Sequence, residues 1–261
     1  MRGTTAWWFA VPGFLLVCLF GLPLIALSWR ASAEGFVNYA LTPAALSALR
    51  LSLLTSGASV LISVFAGTPL AYGLAHRAFR GRAFLEILID LPVVLPPSVA
   101  GLGLLIAFGR EGVFGAALSA VGITLPFTTA AVVLAQTFVS APLYIRAARI
   151  GFAGIDPQLE ESAYVEGASQ WQLFTRVMLP QAARALLSGA ILSWTRALGE
   201  FGATILFAGN LEGRTQTMPL AIYLGFERGL GVALALSVVL MVVSIALLSA
   251  LRRLEQNQHN R

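Results

Sequence analysis

Two opposite charges sit where charge is expensive. Arg196 and Glu200 lie four residues apart in ALLSGAILSWTRALGEFGATILFA, the apolar run over 185–208. Ionisable groups inside such a run are rare and point to function by default. At a spacing of four they share one helix face. The guanidinium offers a fork of donors to an oxyanion. The competing reading is a mutual ion pair that keeps both charges satisfied near a helix interface. Ser193 and Thr204 stand about one turn to either side of the pair.

A second polar stretch, Asp156–Pro180, reads DPQLEESAYVEGASQWQLFTRVMLP. It holds four of the twelve acidic residues: Asp156, Glu160, Glu161 and Glu166. Asp156 before Pro157 reads as an N-cap with proline at the first helical position, where a missing N–H does no harm. Ser169 with Gln172 three residues on reads as a capping box. Gly167 between them can take the left-handed conformation that ends a helix. The stretch is therefore expected to fold as helix, glycine turn, helix.

What is missing narrows the chemistry. All seventeen basic residues are arginine, and there is no lysine. A P-loop needs a lysine on its phosphates, so the usual nucleotide site is excluded, as is a lysine Schiff base. Cys18 is the only cysteine, so neither an intrachain disulfide nor a thiolate cluster can form. It reads as a small core hydrophobe. His76 and His259 stand at polar ends of apolar runs, with no metal-ligand spacing. No metal site and no catalytic cluster is expected. The arginines form no dense patch of the kind that binds nucleic acid.

The elements that must position these residues are membrane helices. The chain is 57% hydrophobic and 11% charged over 261 residues. A soluble domain carries about 25% charged residues. A membrane helix needs about 20 mostly apolar residues. Six spans are expected over about 7–29, 51–75, 84–109, 127–144, 185–208 and 230–251, in one domain covering 1–261. Trp7, Trp8 and Trp29 suit the interfaces of the first span. The first run is too long for a signal peptide, whose apolar region covers about 7–15 residues. The second span is studded with Ser52, Thr55, Ser56, Gly57, Ser59, Ser63, Gly67 and Thr68. Small residues let membrane helices approach closely; the alternative is a polar pathway lining.

The third span holds Glu86, Asp90 and LPVVLPP over 91–97. Three prolines there cannot sit in a regular helix. Irregular backbone at membrane depth survives only against protein or a water-filled cavity. Glu86 and Asp90 lie within about two turns of the loop that carries Arg77, Arg80 and Arg82 and can reach back to it.

Six spans place both termini on one side. By that scheme one face receives Arg2, Arg77, Arg80, Arg82, Arg146, Arg149, Arg176, Arg184, Arg252, Arg253 and Arg261. The other receives Arg30, Arg50, Arg110, Arg214 and Arg228. The richer face is expected to be cytoplasmic, with both termini and Asp156–Pro180 on it.

Glu161-Ser162-Ala163, three residues, Gly167, nine residues and Val177-Met178-Leu179-Pro180 resembles the EAA motif of ABC-importer permeases. The usual form has alanine at Ser162 and isoleucine at Val177. In that family the segment is the coupling helix that docks in a cleft of a separate ATPase. The resemblance assigns coupling to Glu160, Glu161, Ser162, Ala163, Gly167, Ala168, Leu179 and Pro180. The residues alone agree. A polar helix–turn–helix in a chain without a nucleotide site is a handle for a partner. A helix lying on the membrane would be expected to be basic, and this one is acidic until Arg176.

LPVVLPPSVAG over 91–101 and RALGEFGATILFAGNLEGRTQTMPLAIY over 196–223 resemble the molybdate-type permeases. GEFGAT followed by AGN is shared with sulfate/thiosulfate permeases, and GRTQT-x-PLAIY points to molybdate. The resemblance implies an all-α polytopic protein of the type I ABC-importer permease fold in a bacterial inner membrane. It implies a homodimer embedded in lipid, two ATPase subunits carrying ATP and Mg, and an external substrate-binding protein. This chain would hold no cofactor and bind no nucleic acid. The oxyanion would be molybdate, with tungstate alongside. Pro96, Pro97, Ser193, Arg196, Glu200 and Thr204 are the pathway or gate candidates. Arg214, Gln216 and Thr217 are candidates for contact with the binding protein; a solvated loop is the alternative. A sulfate/thiosulfate permease is the near rival. A membrane enzyme or secondary transporter is the distant one, but the chain shows neither a buried catalytic cluster nor the repeated halves of many secondary transporters.

Overall fold

Helices begin where the capping residues stand. Thr42 Oγ1 accepts from the Ala45 N–H at 3.3 Å, with Pro43 in the first turn, and starts a helix of 34 residues. Thr128 Oγ1 accepts from the Ala131 N–H at 3.2 Å and starts another. The computed structural model describes residues 5–259, with side chains left out at 5–7, 9, 228 and 255–259. Arg2 and Arg261 lie outside the described residues, as do the side chains of Trp7, Arg228 and His259.

The described helices are α1 (Thr5–Ala33), α2 (Phe36–Ala40), α3 (Pro43–His76), α4 (Arg82–Val94), α5 (Pro97–Phe108), α6 (Gly115–Ala120) and α7 (Thr129–Ala153). They continue as α8 (Pro157–Val165), α9 (Gln170–Gln172), a π-helical turn (Leu173–Met178), α10 (Leu179–Leu198), α11 (Gly202–Phe207), α12 (Met218–Arg228) and α13 (Leu230–His259). By length and composition Ala10–Ala33, Pro43–His76, Thr129–Ala153 and Leu230–Leu254 can each cross a membrane. Arg82–Val94 and Pro97–Phe108 qualify together, bent by 117°.

The centre is α7 packed between α3 and α10. Val132, Gln136, Ser140, Tyr144, Ala148 and Phe152 recur every four residues along α7 and are all buried. Lipid gives apolar helices no hydrophobic reason to associate, so small residues and cross-helix hydrogen bonds hold them. A Cβ on Gly67 would sit 3.0 Å from both Tyr144 and Ile145, and one on Gly189 2.8 Å from Ala147. The Thr68 and Tyr144 hydroxyls share a hydrogen bond of 2.5 Å. Ser59 shares one of 3.3 Å with Ser140 and accepts from Thr137 at 3.1 Å. Trp194 Nε1–H donates to Ser56 Oγ at 2.9 Å. The small polar residues of α3 are thus spent on packing.

Several elements differ from their expected form. Thr42-Pro43 opens α3, which therefore starts before the expected second span of 51–75. Helix α7 runs past Tyr144 to Ala153, so Arg146 and Arg149 ride on it. There they answer two acids of α4: Arg146 Nη2 lies 2.8 Å from Asp90 Oδ2 and Arg149 Nη1 2.5 Å from Glu86 Oε1. Of the three loop arginines proposed to reach these acids, Arg82 pairs with Glu86 at 2.9 Å. Cys18 lies half-buried on α1, a helix that packs on α13 and α2 outside the three apolar core clusters.

Candidate functional site

Two places draw the candidate residues together. The first is where two broken helices meet. Leu95 is extended because it precedes Pro96, and α5 restarts at Pro97. On the other side α10 stops at Leu198, and α11 restarts at Gly202. The two restarted halves lie in close contact. A Cβ on Gly202 would meet Pro97 Cβ at 2.7 Å, and one on Gly101 would meet the Ala203 backbone at 2.8 Å. LPVVLPPSVAG and GEFGAT, Pro97 and Gly202 being 105 residues apart in the chain, therefore form one unit because glycine stands at both contacts.

Glu200 lies in the gap between α10 and α11, so it does not share one helix with Arg196 as the spacing implied. The ion pair forms nonetheless, Arg196 Nη1 to Glu200 Oε2 at 2.6 Å. It is an ion contact without an aligned hydrogen bond at Oε2. The other oxygen, Oε1, accepts from the Ala203 N–H at 2.8 Å. An acid at the start of a helix takes up free N–H groups and meets a favourable dipole. The Glu200 side chain is 1% exposed and that of Arg196 33%. Among the pathway candidates, Pro96 and Pro97 are exposed on the subunit surface. Ser193 and Thr204 are fully buried within the subunit.

The second place is the segment 156–180. Asp156 Oδ1 accepts from the Gln158 N–H at 2.9 Å. Ser169 and Gln172 exchange both bonds of the capping box, at 2.8 and 3.3 Å. Gly167 has φ +83°. Its N–H donates to Tyr164 O and the Ala168 N–H donates to Ala163 O, both at 3.0 Å. These are the two bonds of a Schellman motif. Ala163, Gly167 and Ala168 thus stand where they do because they close α8. Helix α8 has no buried residue, and Val165 is 89% exposed.

The turn after α9 is anchored in the core by Leu173 and Met178, both buried. Its register is π: the Leu179 N–H donates to Phe174 O, five residues back. Pro180 supplies the reason. A proline ring clashes with the carbonyl four residues earlier in an α-helix, and a wider turn moves that carbonyl aside. Residues 170–198 are consequently helical without interruption, joining the glycine turn to the gap at Glu200. Glu160 lines a cavity of about 360 Å³ beneath α8, together with Tyr72, His76, Arg77, Tyr164, Gln170 and Trp171.

Of the three candidates for contact with a binding protein, Arg214 is exposed, while Gln216 and Thr217 are buried. The burial has a physical cause. The loop folds inward to satisfy its own backbone, with the Arg214, Thr215 and Gln216 N–H groups donating to Leu211 O. Gln216 Nε2 donates to Asn210 Oδ1 at 3.0 Å, and the Met218 N–H donates to Ser52 Oγ at 2.7 Å.

Residues 59–259 match the family described as "Binding-protein-dependent transport system inner membrane component". The chain belongs to this family. The permease is 41% identical to the molybdenum transport system permease protein ModB of Mycobacterium tuberculosis, over 91% of this chain and 90% of that one. It is 36% identical to the probable sulfate transport system permease protein cysT of Chlorokybus atmophyticus, over 86% and 80%. Its fold is similar to that of a bacterial ABC transporter involved in importing the acidic polysaccharide alginate, with TM-score 0.74. That likeness covers 98% of this chain and 95% of that one at 18% identity. The permease is thus an all-helical, multi-pass inner-membrane subunit with the type I ABC-importer fold. It works in a binding-protein-dependent complex whose ATPase activity resides in a partner subunit.

Sequence reasoning missed two things here. The Asp90–Arg146 and Glu86–Arg149 pairs join helices about 60 residues apart in the chain. Gln136 was passed over as one polar residue in an apolar span. Its signal was its place in the four-residue stripe from Val132 to Phe152.

Proposed function

We propose that the permease carries molybdate, with tungstate as a co-substrate, into the cytoplasm as a homodimer. The supporting observation is the 41% identity to a molybdenum permease across 91% of the chain. Two ATPase subunits, holding ATP and Mg, dock on the two Asp156–Pro180 segments. Glu161, Ser162 and the exposed Val165 face them from α8, while Ala163, Gly167 and Ala168 shape the turn and Leu179-Pro180 sets the π register. Six crossings, the sixth formed by α10 with α11, leave both termini and this segment in the cytoplasm.

Closure of the ATPases pushes on α8. The push passes along 170–198 to the gap at Glu200 and to the α5–α11 unit. An external binding protein, meeting the face that carries Arg214, delivers the anion and supplies most of the affinity. The pathway itself needs only weak contacts, since tight binding prevents release.

The test is calorimetric titration of the cognate binding protein with molybdate, tungstate and sulfate, followed by uptake in proteoliposomes holding the full complex. Molybdate and tungstate are expected to bind and to be taken up. Tight sulfate binding without molybdate binding would establish the sulfate reading, whose support is the 36% identity to a probable sulfate permease. Uptake that follows an ion gradient without the ATPase would overturn the importer mechanism.

A further inference from the structure

Buried polar atoms in folded proteins nearly always have partners, and each exception calls for an explanation. Among the described residues the exceptions are both amide atoms of Gln136, Ser193 Oγ, Thr204 Oγ1 and Thr217 Oγ1, while Glu200 Oε2 has its ion contact with Arg196 but no aligned hydrogen bond. Glu200 lies in the gap between α10 and α11, and Ser193 and Thr204 stand within two turns on either side of it. Gln136 belongs to α7, and the helix register shows where it stands.

Helices α7 and α10 run antiparallel. Gly151 lies against Ala182 and Ala185, and Gly189 against Ala147 and Tyr144. Further along, Ser59 touches Ser140 while its neighbour one turn away, Ser56, touches Trp194. One turn beyond Ser140 on the same face, Gln136 comes level with residues 198–200, at the end of α10. The amide and the carboxylate oxygen without an aligned donor thus stand at one depth.

A primary amide enclosed at 0% exposure with no hydrogen bond penalises the conformation seen here. A leucine would fill that position at lower cost. We infer that Gln136 is a positioning residue of the transport cycle, whose amide makes its hydrogen bonds to the Glu200 gap in the other conformation. When the gap between α10 and α11 changes shape, Glu200 Oε2 and the hydroxyls of Ser193 and Thr204 move relative to α7. On this inference Gln136 Nε2 donates to the carboxylate in that other state. The unpaired amide raises the energy of one state and its bonds lower that of the other, which brings the two within reach of ATP-driven switching.

This inference rests on the reading of the permease as a two-state importer, and it is independent of which anion is carried. The test uses Gln136→Leu in the full complex with its ATPase and binding protein, with Gln136→Met as the variant closest in length. Melting temperature is measured in the resting complex and in the vanadate-trapped complex. Uptake is measured with whichever oxyanion the binding protein takes. With the conformation described here taken as the resting one, the resting complex is expected to melt roughly 2–4 °C above wild type. The trapped complex is expected to melt below wild type, and uptake to fall about tenfold. The opposite signs in the two states are what a purely packing role does not produce. A resting complex that melts at or below wild type in both variants would show that the amide is already bonded. A trapped complex no less stable than wild type, or full uptake, would show that the other state does not use it. A wrong anion assignment leaves both melting measurements intact, so the two failures are distinguishable.

Discussion

At the scale of single residues, Arg196 and Glu200 carry the most consequence. Glu200 is buried, accepts one backbone N–H and relies on Arg196 for the rest of its charge. Removing the guanidinium strands a buried carboxylate, whereas removing both charges does not. Arg196→Gln is expected to cost about 1–3 kcal/mol of stability, tempered by the partial exposure of Arg196. The double change to Arg196→Gln with Glu200→Gln is expected to recover most of it. Thermal unfolding of the purified protein checks both. If Arg196→Gln matches wild type in stability, uptake and coupled ATPase activity, the pair is neither structural nor part of the gate. The oxyanion reading of Arg196 keeps one support, since its guanidinium is a third exposed while its partner is enclosed.

At the scale of elements, the segment 156–180 divides into an exposed helix and an anchored turn. Nothing lies within 4 Å of where a Cβ on Gly167 would be, so the position excludes side chains by backbone conformation and not by crowding. At φ +83° a β-branched residue is strained by about 1–2 kcal/mol, while asparagine tolerates the region. Gly167→Val is expected to insert normally but to lose coupled transport, and Gly167→Asn to keep most of it. Uptake of the two variants in matched proteoliposomes decides. Equal, full transport by both would mean that coupling does not need this turn. The contact of α5 with α11 obeys the other glycine logic. There Gly101 and Gly202 are small because backbone and Pro97 occupy the space a side chain would need.

At the scale of the whole molecule, arginine asymmetry sets the orientation proposed above. The single cysteine makes it simple to test, because Cys18→Ala gives a background without thiols. On that background, Arg214→Cys is expected to react with a membrane-impermeant maleimide from outside intact cells. Glu161→Cys is expected to react only in inside-out vesicles. The reverse pattern would invert the topology and remove 156–180 from the side where ATPases work.

Local chemistry made much of this protein legible in the sequence. Asp156, Gly167, Ser169 and Gln172 act on backbone groups at most four residues away, so the cap and turn pattern could be read directly and appears as bonds. Apolar composition determined the membrane class, and the absence of lysine ruled out the usual nucleotide site, because both depend on residue type and not on arrangement. Arrangement decided the rest. Whether Gln216 and Thr217 face out or in depended on Leu211 O gathering three N–H groups, which no local pattern announces. Whether Glu200 completes a helix or caps the next one depended on α5 lying against α11. That Gln136 lacks a partner was decided by the packing of α7 against its neighbours, because a missing partner is a property of residues distant in sequence.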